Sequence, residues 1–205
     1  MKIFVTAIGT DCGKTLASAI LVEAFKADYW KPIQAGSPGD SDTVRALISN
    51  RETIIYPEAY YLKSPESPHS AAKKENIKIY LEKIIIPKTA NDLIIEGAGG
   101  VLVPLNDHEY VIDIAWKNKL PVVLVSNIYL GSINHTLLTI EELKRRGLVL
   151  KGIIFNGENA ETEDIILKKA ACPCILRIKK EESITPEIVT KYASLLRKEV
   201  INDND

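Results

Sequence analysis

Ile3-Phe4-Val5-Thr6-Ala7-Ile8-Gly9-Thr10-Asp11-Cys12-Gly13-Lys14-Thr15 is the stretch that decides the fold. A β-type run ends at Thr6, a polar turn follows, and a helical pattern starts at Lys14. Leu16, Ala17, Ile20, Leu21, Ala24 and Phe25 give that helix one apolar face. Strand, turn and helix in this order are the context a phosphate-binding loop requires. Gly13 lets the backbone approach phosphate oxygens closely, and the amides at a helix start point at an anion. Lys14 can bridge β- and γ-phosphates, and Thr15 can offer its hydroxyl to Mg²⁺. The strict pattern has another glycine five positions before Gly13. Ile8 stands there, so the front of the loop is a variant.

Outward from this loop, β-type runs at 2–6, 29–33, 93–96, 122–126, 153–156 and 174–178 alternate with helical patterns. Those patterns lie at 14–27, 42–49, 77–85, 110–118, 133–146, 163–171 and 186–200. Most of the runs are continuously apolar and rich in Ile and Val, as in strands buried on both faces. Alternation over the whole chain predicts an α/β fold, a doubly wound parallel sheet with right-handed crossovers. Pro186 after Thr185 reads as a capped helix start. Residues 64–88 hold Pro65, Pro68 and Pro87 with Pro57 just upstream, and read as a surface excursion inside one domain, 1–205. The tail 202–205 is expected to fray.

Composition narrows the class. Lys+Arg number 26 against 27 Asp+Glu, which gives no basic footprint for nucleic acid. Three cysteines in 205 residues make no disulfide framework, so a reducing, cytoplasmic setting is expected. No apolar run approaches the roughly 20 residues that span a bilayer, and the N-terminus turns polar too soon for a signal peptide. The three histidines are scattered without metal-ligand spacing, and Cys172-Pro173-Cys174 reads as packing.

Other polar clusters fall at expected strand ends, where parallel sheets bind ligands. Lys31-Pro32 closes the second run, beside the phosphate loop. In Gly39-Asp40-Ser41-Asp42, Asp40 and Ser41 are N-cap candidates, and Asp42 is expected to complete a Mg²⁺ shell. Glu96 ends an apolar run before Gly97-Ala98-Gly99-Gly100, the usual place for a second magnesium-holding acid. Leu130-Gly131-Ser132-Ile133-Asn134-His135 opens a long helix that can hold an anion at its amides, or can simply be capped by Ser132.

A guanine-specific enzyme would carry Asn-Lys-x-Asp, but Asn118-Lys119 runs on into Leu120-Pro121. Partition-type ATPases carry an extra lysine at the front of the loop, where this chain has Gly9. Val5-Thr6, Gly13-Lys14-Thr15, Lys31-Pro32, Ser41-Asp42, Ser67-Pro68-His69, Glu96-Gly97-Ala98-Gly99-Gly100, Pro104-Leu105 and Leu130-Gly131-Ser132-Ile133-Asn134-His135 occur in this order. In this the chain resembles the dethiobiotin synthetases over nearly its whole length.

The resemblance implies a seven-stranded parallel sheet and a homodimer with shared active sites. It also implies a ligase of biotin biosynthesis, which converts ATP, CO₂ and 7,8-diaminononanoate to dethiobiotin, ADP and phosphate with Mg²⁺. It implies a phosphate loop of Asp11, Cys12, Gly13, Lys14, Thr15 and Leu16, and magnesium ligands Thr15, Asp42 and Glu96. Lys31 and Lys14 become the catalytic lysines. Gly97, Ala98, Gly99, Asn156 and Gly157 join the ATP site, with Asn156 on the adenine side. Thr10, Lys31 and Ala35 fall on the substrate side, and Gly131, Ser132, Ile133 and Asn134 of the second subunit hold its tail. The chain departs from the family in three places: Ala35 where a hydroxyl residue is common, Ala7 where glycine is common, and Leu176-Arg177-Ile178-Lys179 in the base-lining segment. Two rival classes are an amide-forming relative, expected to carry an amidotransferase domain, and a nucleotide switch that docks a partner.

Overall fold

The computed structural model describes residues 1–202, with side chains through Leu196. The expected frayed tail lies outside the described residues from position 203 on. In chain order the elements are β1 (Lys2–Ala7), α1 (Lys14–Phe25), β2 (Asp28–Trp30), β3 (Ile33–Ala35), α2 (Asp40–Leu47), β4 (Ile55–Tyr56), β5 (Tyr60–Leu62), α3 (Pro68–Lys74), β6 (Leu93–Gly100), α4 (Asp113–Lys117), β7 (Val122–Asn127), α5 (Ser132–Arg145), β8 (Leu150–Asn156), α6 (Ala160–Ala170), β9 (Cys174–Ile178) and α7 (Pro186–Asn202).

Seven strands form one sheet in the order β4-β2-β6-β1-β7-β8-β9, and every pair is parallel. Because successive side chains alternate between faces, each apolar run feeds two cores. Val5, Ile94, Val123, Val125 and Ile154 pack with α1 and α7 on one face. Phe4, Leu93, Ile95 and Val122 pack on the other with residues of α3 and α4, and Leu124, Ile153 and Phe155 pack with α5 and α6. This is a doubly wound α/β fold. After β1 the chain winds outward to β2 and β4, and after β6 it winds the other way through β7, β8 and β9. The crevice above β1 is therefore the switch point where such sheets bind ligands.

The structure corrects several expected boundaries. The run 29–33 is two strands, since Lys31-Pro32 breaks the ladder and β3 leaves to pair with β5 in a separate two-stranded sheet. Pro32 has no N–H to give to a ladder, which explains the break. Residues 77–85 form only a 3-10 turn at Leu81–Lys83. The helix present in this region is α3, with Pro68 in its first turn and Lys73 and Lys74 in its last. Ala71, Ala72, Ile79, Leu81 and Ile84 are buried against the sheet, so residues 64–88 are a covering layer and not a surface excursion. α2 starts at Asp40 with Gly39 as its cap, so neither Asp40 nor Ser41 is the cap residue. Thr185 does serve α7, its Oγ1 accepting from the Ile188 amide at 3.4 Å.

Candidate active site

β1 ends between β6 and β7 and delivers the phosphate loop to the crevice. The loop wraps through two left-handed residues, Asp11 at φ 56° and Gly13 at φ 90°. At Gly13 a Cβ would sit 2.4 Å from Asn156 Nδ2, so both backbone and space demand glycine. Asn156, at the end of β8, donates that Nδ2 to the Cys12 carbonyl at 3.1 Å. Lys14 Nζ donates to the Gly9 carbonyl at 2.9 Å and closes the loop from the front. Cys12 is buried beneath the loop, and burial raises its thiol pKa. No side chain caps α1, which leaves its start to an anion.

Beside the loop lies a charged cluster built from β2 and the residue after it, from β6, and from the first turns of α1 and α2. Lys31 Nζ donates to Glu96 Oε1 and to the Gly97 carbonyl, both at 3.0 Å, and pairs with Asp40 Oδ2 at 2.6 Å. Its three protons match three acceptors, which makes burial of an ammonium tolerable. Thr15 Oγ1 lies 3.1 Å from both Asp40 Oδ1 and Glu96 Oε1. Tyr29 donates its hydroxyl to Glu96 Oε2 at 2.9 Å.

The electrostatics follow from this geometry. Burial alone would lower the Lys31 pKa, but Glu96 and Asp40 outweigh it and hold it above the ordinary lysine value. Burial, helped by the charge of Lys31, pushes Lys14 down. Asp40 would be raised by burial, yet Lys31 and the donors Lys31 and Thr15 hold it below the usual carboxylate value. Burial and then Glu96 push the Tyr29 hydroxyl well up.

The cluster forms one wall of a cleft of about 800 Å³. Thr10, Asp11, Gly13, Lys14, Thr15, Lys31, Ala35, Glu96, Ala98 and Gly99 all line it. Cys12 and Leu16 sit behind the loop among apolar neighbours, and Gly97 enters through its carbonyl. Gly157, at φ 97°, donates its amide to Ile178 beyond β8. Residues 131–134 do not line the cleft. Gly131 occupies the cap position of α5 at φ 102°, and the buried Ser132 hydroxyl has no hydrogen-bond partner among the described residues, which removes the capping role from Ser132.

Asp42 is the clear correction. It is exposed and absent from the cleft wall, while Asp40 faces Thr15 and Lys31. Because Gly39 caps α2, Asp40 takes the first helical position, and two residues on a helix turn by about 200°, carrying Asp42 to the far side. Gln34 fixes this start: its Oε1 accepts from the Asp40 amide at 3.1 Å, and its Nε2 donates to the Gly36 carbonyl at 3.1 Å. Asp40, Gln34 and Tyr29 are the site residues that sequence reasoning misses. For Asp40 the signal present is a carboxylate directly after Pro38-Gly39. For Tyr29 and Gln34 no local signal exists.

Three oxygen donors, Thr15, Asp40 and Glu96, thus meet near one point at the mouth of the phosphate loop, the donor type hard divalent cations take. No cluster of three His, Cys, Asp or Glu side chains forms a metal cage among the described residues.

Known proteins place this arrangement. A family model described as an AAA domain matches residues 1–188. Among solved structures, the cell division ATPase MinD of Pyrococcus furiosus aligns with a TM-score of 0.63 at 15% identity, covering 98% of each chain. A ParA family ATPase of Chlorobium tepidum aligns at 0.58 and 14%, covering 98% of this chain and 97% of that one. At such identities the likeness is one of fold. Sequence relatives are far more similar. The ATP-dependent dethiobiotin synthetase BioD of Cytophaga hutchinsonii is 57% identical, covering 94% of this chain and 95% of that protein. Those of Christiangramia forsetii and Chlamydia pneumoniae are 49% and 41% identical, covering 95% and 94% of this chain and 95% and 87% of theirs. Identity of this order over nearly the whole chain makes it a member of the ATP-dependent dethiobiotin synthetase family.

Proposed function

We propose that the protein catalyses ATP- and Mg²⁺-dependent ring closure of 7,8-diaminononanoate with CO₂, giving dethiobiotin, ADP and phosphate. The observation that carries this reading is Lys31, a buried ammonium held between Glu96, Asp40 and the Gly97 carbonyl on the wall the phosphate loop shares. One amine of the substrate captures CO₂ as a carbamate and releases a proton. A carbamate oxygen attacks the γ-phosphorus of ATP, and ADP leaves. The second amine then attacks the carbamate carbon, closes the ureido ring and expels phosphate.

Each step concentrates negative charge, so catalysis rests on positioning and charge stabilisation. Lys14 and the amides at the start of α1 hold the β- and γ-phosphates. Lys31 faces the carbamate and the charge that develops as the phosphoryl group moves. The Gly97 carbonyl anchors Lys31 from outside its ion pairs and keeps it aimed into the cleft. Thr15, Asp40 and Glu96 fit Mg²⁺, which takes few carboxylates and completes its shell with phosphates and water. When bound, Mg²⁺ neutralises phosphate charge for in-line transfer. Thr10 and Ala35 flank the substrate, and Asn156 and Gly157 lie toward the adenine.

Residues 131–134 serve the cleft of a second copy in a homodimer. Support comes from their absence from this chain's own cleft and from exposed Tyr129, Leu130, Ile133 and Leu138 around them. A bare apolar stripe of this kind suits a two-fold interface. No helix among the described residues is long and apolar enough to cross a membrane. Purified protein given 7,8-diaminononanoate, ATP, Mg²⁺ and bicarbonate should form dethiobiotin and ADP one for one by mass spectrometry. ADP release that ignores the diamine would refute the reading.

A further inference from the structure

We propose that Tyr29 is a positioning residue for the cation site: its buried hydroxyl sets the rotation of the Glu96 carboxylate, and so how well that carboxylate takes a divalent cation together with Thr15 and Asp40. This rests on the reading of those three residues as the cation site.

Glu96 divides its two oxygens between different neighbours. Oε1 faces the cleft, where Thr15 and Lys31 donate to it at 3.1 and 3.0 Å. Oε2 turns into the protein, where Tyr29 donates at 2.9 Å. Both side chains are fully buried at 0% exposure, so no solvent can replace that bond. The Tyr29 ring is itself fixed: it belongs to the core face of the sheet with Ile94, its register partner on β6, and with residues of α1. Glu96 lies two residues beyond Ile94 on the same face of β6, which sets its carboxylate within reach of the ring's polar end. Tyr29 sits outside the cleft wall and touches neither nucleotide nor substrate space. It acts only through Glu96.

Loss of the hydroxyl leaves a buried carboxylate oxygen without a donor. The carboxylate then gains by rotating toward Lys31, and Oε1 leaves the direction that meets Thr15 and Asp40. Partners that orient a metal ligand from behind typically matter by about 10- to 100-fold in metal affinity.

The test is calorimetric titration of ADP at stepped Mg²⁺ concentrations, without diamine or turnover, on the parent, Tyr29→Phe, Tyr29→Leu and Glu96→Gln. Both Tyr29 variants should raise the Mg²⁺ midpoint by about tenfold, while ADP affinity in chelator stays close to the parent's. Glu96→Gln should raise the midpoint at least as far. A lowered melting temperature with an unmoved midpoint in the Tyr29 variants would assign Tyr29 to packing alone and overturn the proposal, leaving the cation reading intact. An unmoved midpoint in Glu96→Gln would remove the cation reading and the Tyr29 proposal with it.

Discussion

Lys31 holds two acidic neighbours on the cleft wall, Glu96 buried and Asp40 part-exposed, and this double duty sets what its loss does. Lys31→Gln should lower turnover by at least about a hundredfold, the scale of one lost charge stabiliser. ADP should still bind, since Lys14 and the loop amides remain. The same change leaves Asp40 and Glu96 facing each other without a cation. The variant's melting temperature should therefore fall in chelator and recover in Mg²⁺, an effect a thermal scan reads directly. Asp40 and Asp42 make a second contrast. Asp40→Asn should raise the Mg²⁺ needed for half-maximal activity about tenfold or more, and Asp42→Asn should leave it unchanged. Equal responses would cancel the assignment of Asp40. Lys14, Thr15, Lys31 and Glu96 were legible because each stands close to a glycine or proline whose local pattern marks the end of an apolar run or the start of a helix. Asp40 was not, because which of two acids faces the site depends on the phase of α2, and that phase follows from Gly39 taking the cap. Tyr29 stayed hidden because its partner lies 67 positions away.

Elements are held to one another by equally specific contacts, and Glu23 on α1 shows one that is open to titration. Its carboxylate accepts from the amides of Ser49 and Asn50 and from both their side chains, and so ties α1 to the segment after α2. Burial alone would raise its pKa, but these donors outweigh burial and hold it below the ordinary glutamate value. A depressed folded pKa gives stability that is present above the unfolded value near 4.3 and is lost as pH falls through the folded value. Glu23→Gln should therefore cost about 1–3 kcal/mol at pH 7 in denaturant unfolding, and the gap from the parent should shrink below pH 4. A gap that persists unchanged in acid would contradict the carboxylate's role. At this scale the central strands were legible, because burial on both faces makes continuous apolar runs. The two-residue β4 and three-residue β5 were not, since their pairing is fixed by neighbours and not by their own pattern. Residues 77–85 read as a helix in sequence because buried Ile79, Leu81 and Ile84 and partly buried Ile77 follow an extended, turning path that mimics helical spacing.

At the scale of the molecule, one sheet edge brings together the phosphate loop, Lys31 and the cation ligands, and residues 131–134 at the start of α5 do not line their cleft. If residues 131–134 serve the partner's cleft, a two-fold dimer carries two composite sites. Lys31→Gln and Gly131→Trp dimers should each be nearly inactive. After subunit exchange at equal concentration, about a quarter of the parent activity should return, because half the dimers are mixed and each has one intact site. Confirmed exchange without recovered activity would place the whole site in one chain. A carbamate oxygen is phosphorylated in this cleft before the ring closes, and isotope transfer follows that oxygen. With ¹⁸O-labelled CO₂ in a short incubation, the attacking oxygen leaves with phosphorus when the second amine closes the ring. Each phosphate released should then carry one ¹⁸O, in step with dethiobiotin. Phosphate that carries solvent oxygen alone, while dethiobiotin still forms, would contradict the account.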